Sequence, residues 1–164
     1  MRTIEVKQLT VECFARYGSF ADMLHPRGDK IGPPEAEFFP DGVRAFPCAA
    51  MTGFSTVKTS YRPMVIDEAE RHSYAAELLL PLDGDVVCFA APAPFDTFPA
   101  EKAEAFLVPR GTLLKLRPGV WHKAPFPVGP GSVSTLVVLP ERTYATDCLV
   151  EKLTEEKRLS IRVP

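Results

Sequence analysis

Glu70-Arg71-His72, followed by Glu77 and Gly84, is the stretch that decides the fold, because Gly111, Pro118-Gly119 and His122 answer it downstream. Two of the three histidines of the chain fall in these segments, each near the end of a strand-like run. A strand presents residues i and i+2 on one face, so an extended Glu70 and His72 point the same way. Glu77 lies at an odd spacing from His72, and a bulge or bend is needed to bring its carboxylate round. His122 arrives from a distant strand. Two imidazoles with one or two carboxylates suit one divalent ion, whether zinc, iron, manganese, nickel or copper. Open positions on such an ion would polarise a substrate hydroxyl or carbonyl. Glu70, His72, Glu77 and His122 are therefore the candidate catalytic residues and the candidate metal ligands. The plainer alternative is a surface acid and a satisfied histidine. Glu77 resists it, since it sits among Ala75, Ala76 and Leu78 to Leu80, and a lone buried carboxylate needs a partner or a cavity.

Outward from this stretch, short apolar runs alternate with turn residues. His72 to Leu82 reads as a strand ending at the turn Pro81-Leu82-Asp83-Gly84. Asp85 to Ala91 is nearly all apolar, as expected of a strand buried on both faces. Pro92 to Ala100 is a proline-rich loop, and Ala103 to Val108, Thr112 to Arg117, Val120 to Phe126 and Val133 to Leu139 read as further strands. Upstream, Thr3 to Leu9 is a first strand. Thr10 caps a short helix, Val11 to Tyr17, ended by Gly18. Residues 26–42 read as a loop, Phe46 to Tyr61 as two short strands, and Met64 to Ala69 as ambiguous. At the far end, Asp147 to Leu153 and Leu159 to Val163 suggest a hairpin around Glu155-Glu156-Lys157-Arg158, a segment whose composition also suits a helix. About ten turn-punctuated strands and 17 prolines argue for a closed or sandwiched all-β domain.

Composition narrows the function classes. A chain of 164 residues supports one domain, 1–164, with a proper core. The formal net charge of -2 and the lack of long basic or acidic runs give no sign of a nucleic-acid or membrane partner. Met1 to Gln8 has no signal-peptide core, and no apolar run is long enough for a membrane span. Cys13, Cys48, Cys88 and Cys148 are widely spaced, exclude a Cys-x-x-Cys metal site, and read as reduced thiols in a cytoplasmic protein.

The spacings resemble the two cupin motifs. His72, four residues, Glu77, six residues and Gly84 match the first, with Glu70 in place of its leading histidine. Gly111, five residues, Arg117-Pro118-Gly119, two residues and His122 match the second, with the proline displaced by one and Phe126 in place of asparagine. The run Leu9-Thr10-Val11-Glu12-Cys13-Phe14-Ala15-Arg16-Tyr17-Gly18, with Glu70-Arg71-His72, Leu80-Pro81-Leu82-Asp83-Gly84 and Gly119-Val120-Trp121-His122, resembles the ureidoglycolate lyase family.

That resemblance implies a cupin-like double-stranded β-helix, or jelly-roll barrel, with a short N-terminal helix, often as a homodimer. It also implies cleavage of ureidoglycolate to glyoxylate and urea in allantoin breakdown; the candidate cofactor, read from the imidazoles and carboxylates themselves, is one zinc, nickel, manganese or iron ion. On this reading Glu70 or Glu77 serves as base, while His72 or His122 binds metal or donates a proton. Arg62, Lys115 and Arg117 are the candidate anchors for an anionic small-molecule substrate. The chain departs from the family pattern at Glu77, where an amide is common, at Lys115-Leu116-Arg117, and at Lys123, where a second histidine is usual. A different metal-dependent cupin, such as an isomerase, and a non-catalytic ligand-binding cupin are the competing readings, because site residues rather than fold decide function.

Overall fold

The computed structural model describes residues 1–45 and 51–164. Among them, thirteen strands and two short helices follow one another. The first half holds β1 (Arg2–Gln8), α1 (Val11–Phe14), β2 (Gly18–Asp22), β3 (Thr52–Ser60), β4 (Val65–Ile66), β5 (Glu68–Arg71) and β6 (Glu77–Pro81). The second holds β7 (Val86–Ala90), β8 (Glu104–Val108), β9 (Thr112–Leu116), β10 (Phe126–Pro127), β11 (Ser132–Pro140), α2 (Thr143–Thr146), β12 (Leu149–Lys152) and β13 (Leu159–Arg162). A six-stranded sheet runs β10-β7-β8-β1-β13-β4, a five-stranded sheet β2-β9-β6-β11-β3, and β5 pairs with β12. The two large sheets curl into a half-barrel.

β7 explains the layering. All five of its residues are buried, and alternate side chains serve two cores. Val86, Cys88 and Ala90 join Leu79, Phe106, Leu114, Leu116 and Val133, from strands of both large sheets. Val87 and Phe89 join Ile4, Ile66, Trp121, Phe126, Leu159 and Ile161 on the other side. The near-continuous apolar run in the sequence is thus a strand covered on both faces.

Several elements differ from the sequence expectation, each for a local reason. The helix at Val11 ends at Phe14 and not at Tyr17. Tyr17 turns into the core, where its hydroxyl meets Glu104 at 2.6 Å. Gly18 opens β2 instead of capping the helix, because a Cβ there would stand 1.7 Å from the Lys115 carbonyl oxygen across the β2–β9 pair. Of the expected pair of strands over 46–61, the described residues form β3, paired along its whole length with β11; Phe46 to Ala50, with Cys48, lie outside the described residues.

The expected strand from His72 breaks into a bend at 73–76 before β6. Val120 to Phe126 makes only single bridges, Ala91↔Trp121 and Glu70↔His122, before the two-residue β10. There the carbonyls of Ala124 and Pro125 accept from the Arg62 guanidinium and not from a neighbouring strand. The expected C-terminal hairpin does not form. β12 pairs with β5, whereas β13 inserts between β1 and β4 and buries Leu159 and Ile161. Glu155 to Lys157 is a turn.

Candidate functional site

The site begins with a backbone exchange between the two motif segments. Glu70 and His122 trade both peptide hydrogen bonds, at 2.7 and 2.8 Å. Gly119, at φ +80°, turns its N–H onto the His72 carbonyl oxygen at 2.6 Å. That φ favours glycine, so the motif glycine is what lets the two segments lie together. The pairing sets the His72 and His122 rings edge to face, with centroids 5.3 Å apart.

Glu77 completes the group. It is the first residue of β6, whose alternation turns Glu77, Leu79 and Pro81 inward. The bend that carries it round is held by one distant residue. The Asp147 carboxylate accepts from the backbone N–H groups of Ser73, Tyr74 and Ala75 at 2.7, 2.9 and 3.1 Å. The carbonyl of Asp147 accepts from Nδ1 of His72 at 2.7 Å. Asp147 therefore ties down both the histidine and the path to the glutamate.

His72, Glu77 and His122 are 5%, 6% and 4% exposed. One carboxylate oxygen, Glu77 Oε2, lies 2.6 Å from His122 Nε2 and 3.1 Å from His72 Nε2. His122 Nδ1 donates to the Val120 carbonyl at 2.9 Å. With both Nδ1 atoms donating to carbonyls, both Nε2 atoms are left facing the same carboxylate.

Burial alone would raise the Glu77 pKa, but the charge and hydrogen bond of His122, and then those of His72, outweigh it and hold the group at about 2. Burial lowers the His122 pKa, yet the Glu77 charge and hydrogen bond carry it above its ordinary value. His72 is raised in the same way, chiefly by its bond to Glu77 against burial. Protons on both Nε2 atoms satisfy this arrangement.

A divalent metal could take the place of those protons. The three ligand atoms lie within 4.8 Å of one another. Each histidine already presents the tautomer a metal requires, its Nδ1–H fixed by a carbonyl. Two imidazoles and a carboxylate leave an open position, the pattern of catalytic rather than structural sites. The donor set therefore fits a metal ion.

A cavity of about 250 Å³ reaches this group, bounded by Glu70, His72, Glu77, Lys123, Tyr144 and Cys148. Glu70 lines the cavity but stands outside the converging ligand group, because Lys123 Nζ takes its Oε2 at 3.0 Å. Lys123 also binds Glu68 at 2.5 Å. Although burial disfavours its charge, these two carboxylates raise its pKa. Lys123, a solvated charge by default in the sequence, is thus a cavity residue.

The expected substrate cations lie elsewhere. Lys115 alternates with the buried Leu114 and Leu116 and so faces away from the core, its Nζ donating to the Arg44 carbonyl at 2.6 Å. Arg117 is exposed beyond the end of β9. Arg62 lines a different cavity and stacks on Phe126 at 4.2 Å. Asp147 carried no signal in the sequence, since its role depends on a contact with residues more than seventy positions away.

An all-β half-barrel of curled sheets, with a His–Glu–His group facing a cavity, is a cupin-like protein. The chain belongs to the ureidoglycolate lyase family, which it matches over residues 1–161, and is an enzyme of the lyase class. It is 32% identical over 134 residues to the ureidoglycolate lyase of Rhodobacter capsulatus, covering 79% of this chain and 81% of that one. Among solved structures it is similar to a dTDP sugar isomerase from Desulfovibrio desulfuricans, at 15% identity and TM-score 0.49, with 84% of each chain covered. It is also similar to a sugar 3,4-ketoisomerase from Thermoanaerobacterium thermosaccharolyticum, at 16% identity and TM-score 0.44, with 80% of this chain and 85% of that one covered. Among the described residues, no helix is long and apolar enough to cross a membrane.

Proposed function

We propose that this chain cleaves ureidoglycolate, or a closely related 2-hydroxy acid derivative, to glyoxylate and urea. The observation that carries the reading is the convergence of His72, Glu77 and His122 on one point beside a small cavity, in a member of this family. His72, Glu77 and His122 would hold one divalent ion of zinc, nickel, manganese or iron. Such an ion would supply Lewis-acid polarisation of a substrate oxygen.

The chemistry needs one proton moved and one bond broken. Glu77, held at about 2 by its histidines, is a weak base. Glu70, on the cavity wall, is better placed to take the hydroxyl proton. As that proton leaves, the carbon–oxygen bond becomes a carbonyl, and the carbon–nitrogen pair departs with the urea nitrogen. Glu70 returns the same proton to that nitrogen, so the step balances without added water. Lys123 fixes the Glu70 carboxylate and replaces Arg62, Lys115 and Arg117 as the cation nearest the substrate carboxylate.

Purified protein incubated with ureidoglycolate, with and without added divalent metals, should release glyoxylate. No glyoxylate above background in any arm refutes the lyase reading. Less than about a tenth of a metal per chain, together with no rise in melting temperature on adding zinc, nickel or manganese, refutes the metal.

A further inference from the structure

We propose that a second cavity, walled by Arg62, Asp67, Glu68, Lys123, Lys152 and Arg158, is a binding site for a small oxyanion carrying two negative charges. It has a volume of about 440 Å³ and lies beside the catalytic cavity, sharing only Lys123 and Glu68 with the site described above.

Its four cations face two carboxylates, a surplus of two positive charges. Lys123 is already committed to Glu68 and Glu70. The surplus therefore resides on Arg62, Lys152 and Arg158, with Asp67 the acid facing Arg62. Among the described residues, none of these three cations has a carboxylate within ion-pairing distance. Like charges gathered in one cavity repel one another unless an anion separates them.

Two details make this a built site and not a scatter of surface charge. The Arg62 guanidinium is held by the Ala124 and Pro125 carbonyls, at 3.2 and 3.5 Å, and lies over the Phe126 ring at 4.2 Å. Two of its five N–H groups are used, and its orientation is fixed. The Arg158 Nε is buried with no hydrogen-bond partner among the described residues. A buried guanidinium N–H without an acceptor is costly, and an oxyanion would satisfy it. Two guanidinium groups and an ammonium lining one cavity suit a phosphate or a dicarboxylate. None of the residues given a proton or metal role contributes here, so the inference stands whether or not the chain cleaves ureidoglycolate.

Isothermal titration of the purified chain with inorganic phosphate, and separately with malonate, tests it, with ionic strength held constant by sodium chloride. The expected result is saturable one-to-one binding of at least one of the two. Binding of phosphate alone assigns a phosphate ligand, and binding of malonate alone assigns a dicarboxylate. Arg158→Gln and Lys152→Gln should each weaken it about tenfold or more, while His72→Ala binds as tightly as the wild type. Lys152 is exposed, so its substitution keeps the result readable even if the Arg158 variant folds poorly. No saturable heat beyond the chloride control overturns the proposal. So does binding that both substitutions leave intact, or binding lost in His72→Ala.

Discussion

Glu77→Gln is the sharpest probe of the buried group, because it keeps the side-chain volume and removes only the charge. The Glu77 carboxylate is held at about 2 against an ordinary 4.5, which corresponds to about 3 kcal/mol of folding stability in metal-free protein. The carboxylate part is present above about 4.5 and lost as pH falls through 2. The imidazolium part runs the other way, since both histidine pKa values are raised. It is fully present below 6.5 and lost as pH rises through the folded-state values. Both parts coexist between about pH 4.5 and 6.5, and there the variant should be worse than wild type by about 3 kcal/mol. For a chain of this size that is a drop in melting temperature of about 6–12 °C. The assay is thermal or urea unfolding of chelator-treated wild type and Glu77→Gln at pH 6 and again at pH 9. The gap should be widest at pH 6 and should narrow as pH rises above 6.5 through the raised histidine pKa values. Equal stability at pH 6, or a gap that does not change with pH, would refute the imidazolium–carboxylate account.

His72→Ala and His122→Ala should each abolish glyoxylate release while the far-ultraviolet circular dichroism stays native; wild-type activity in either variant excludes a shared site. Metal uptake should release protons, and apparent affinity should rise as pH climbs above 6.5 through the raised histidine pKa values. A pH-independent affinity, measured by titration in two buffers of different ionisation enthalpy, contradicts that. Asp147→Ala removes three charge-assisted hydrogen bonds from the 73–75 backbone. It should cost about 2–4 kcal/mol of stability and lower kcat more than it raises KM. Asp147→Asn, which keeps an acceptor, should recover part of kcat; equal kcat in wild type and Asp147→Ala removes Asp147 from any positioning role.

The converging residues were readable because motif spacing encodes them locally: His72 to Glu77 across one bend, and Gly119 to His122 across one turn. What brings Glu77 round was not readable, since Asp147 acts from a segment that itself looked like the start of a strand. The charged residues were misjudged for a related reason. Lys115 lies between Leu114 and Leu116, and that alternation, followed through, places it on the outer face. Lys123 looked like a surface charge because the carboxylates that hold it, Glu68 and Glu70, belong to a strand fifty residues earlier. The C-terminal strands were found but wrongly paired. Apolar patterning marks a strand as buried without saying which distant edge will receive it.

The placement of β13 bears on how the molecule comes to be folded at all. Thr3 meets Ser160 across the β1–β13 pair, 157 residues apart in the chain. Contacts of such long range are made late and slowly, because loop-closure entropy must be overcome first. The same terminal segment supplies Asp147 to the bend and β12 to the flank of Glu70. During synthesis the His72 and Glu77 segments emerge long before the strands that hold them in place. A nascent chain therefore carries the His72 and Glu77 side chains without a formed pocket, and reactivity at the site is withheld until the last strands have docked.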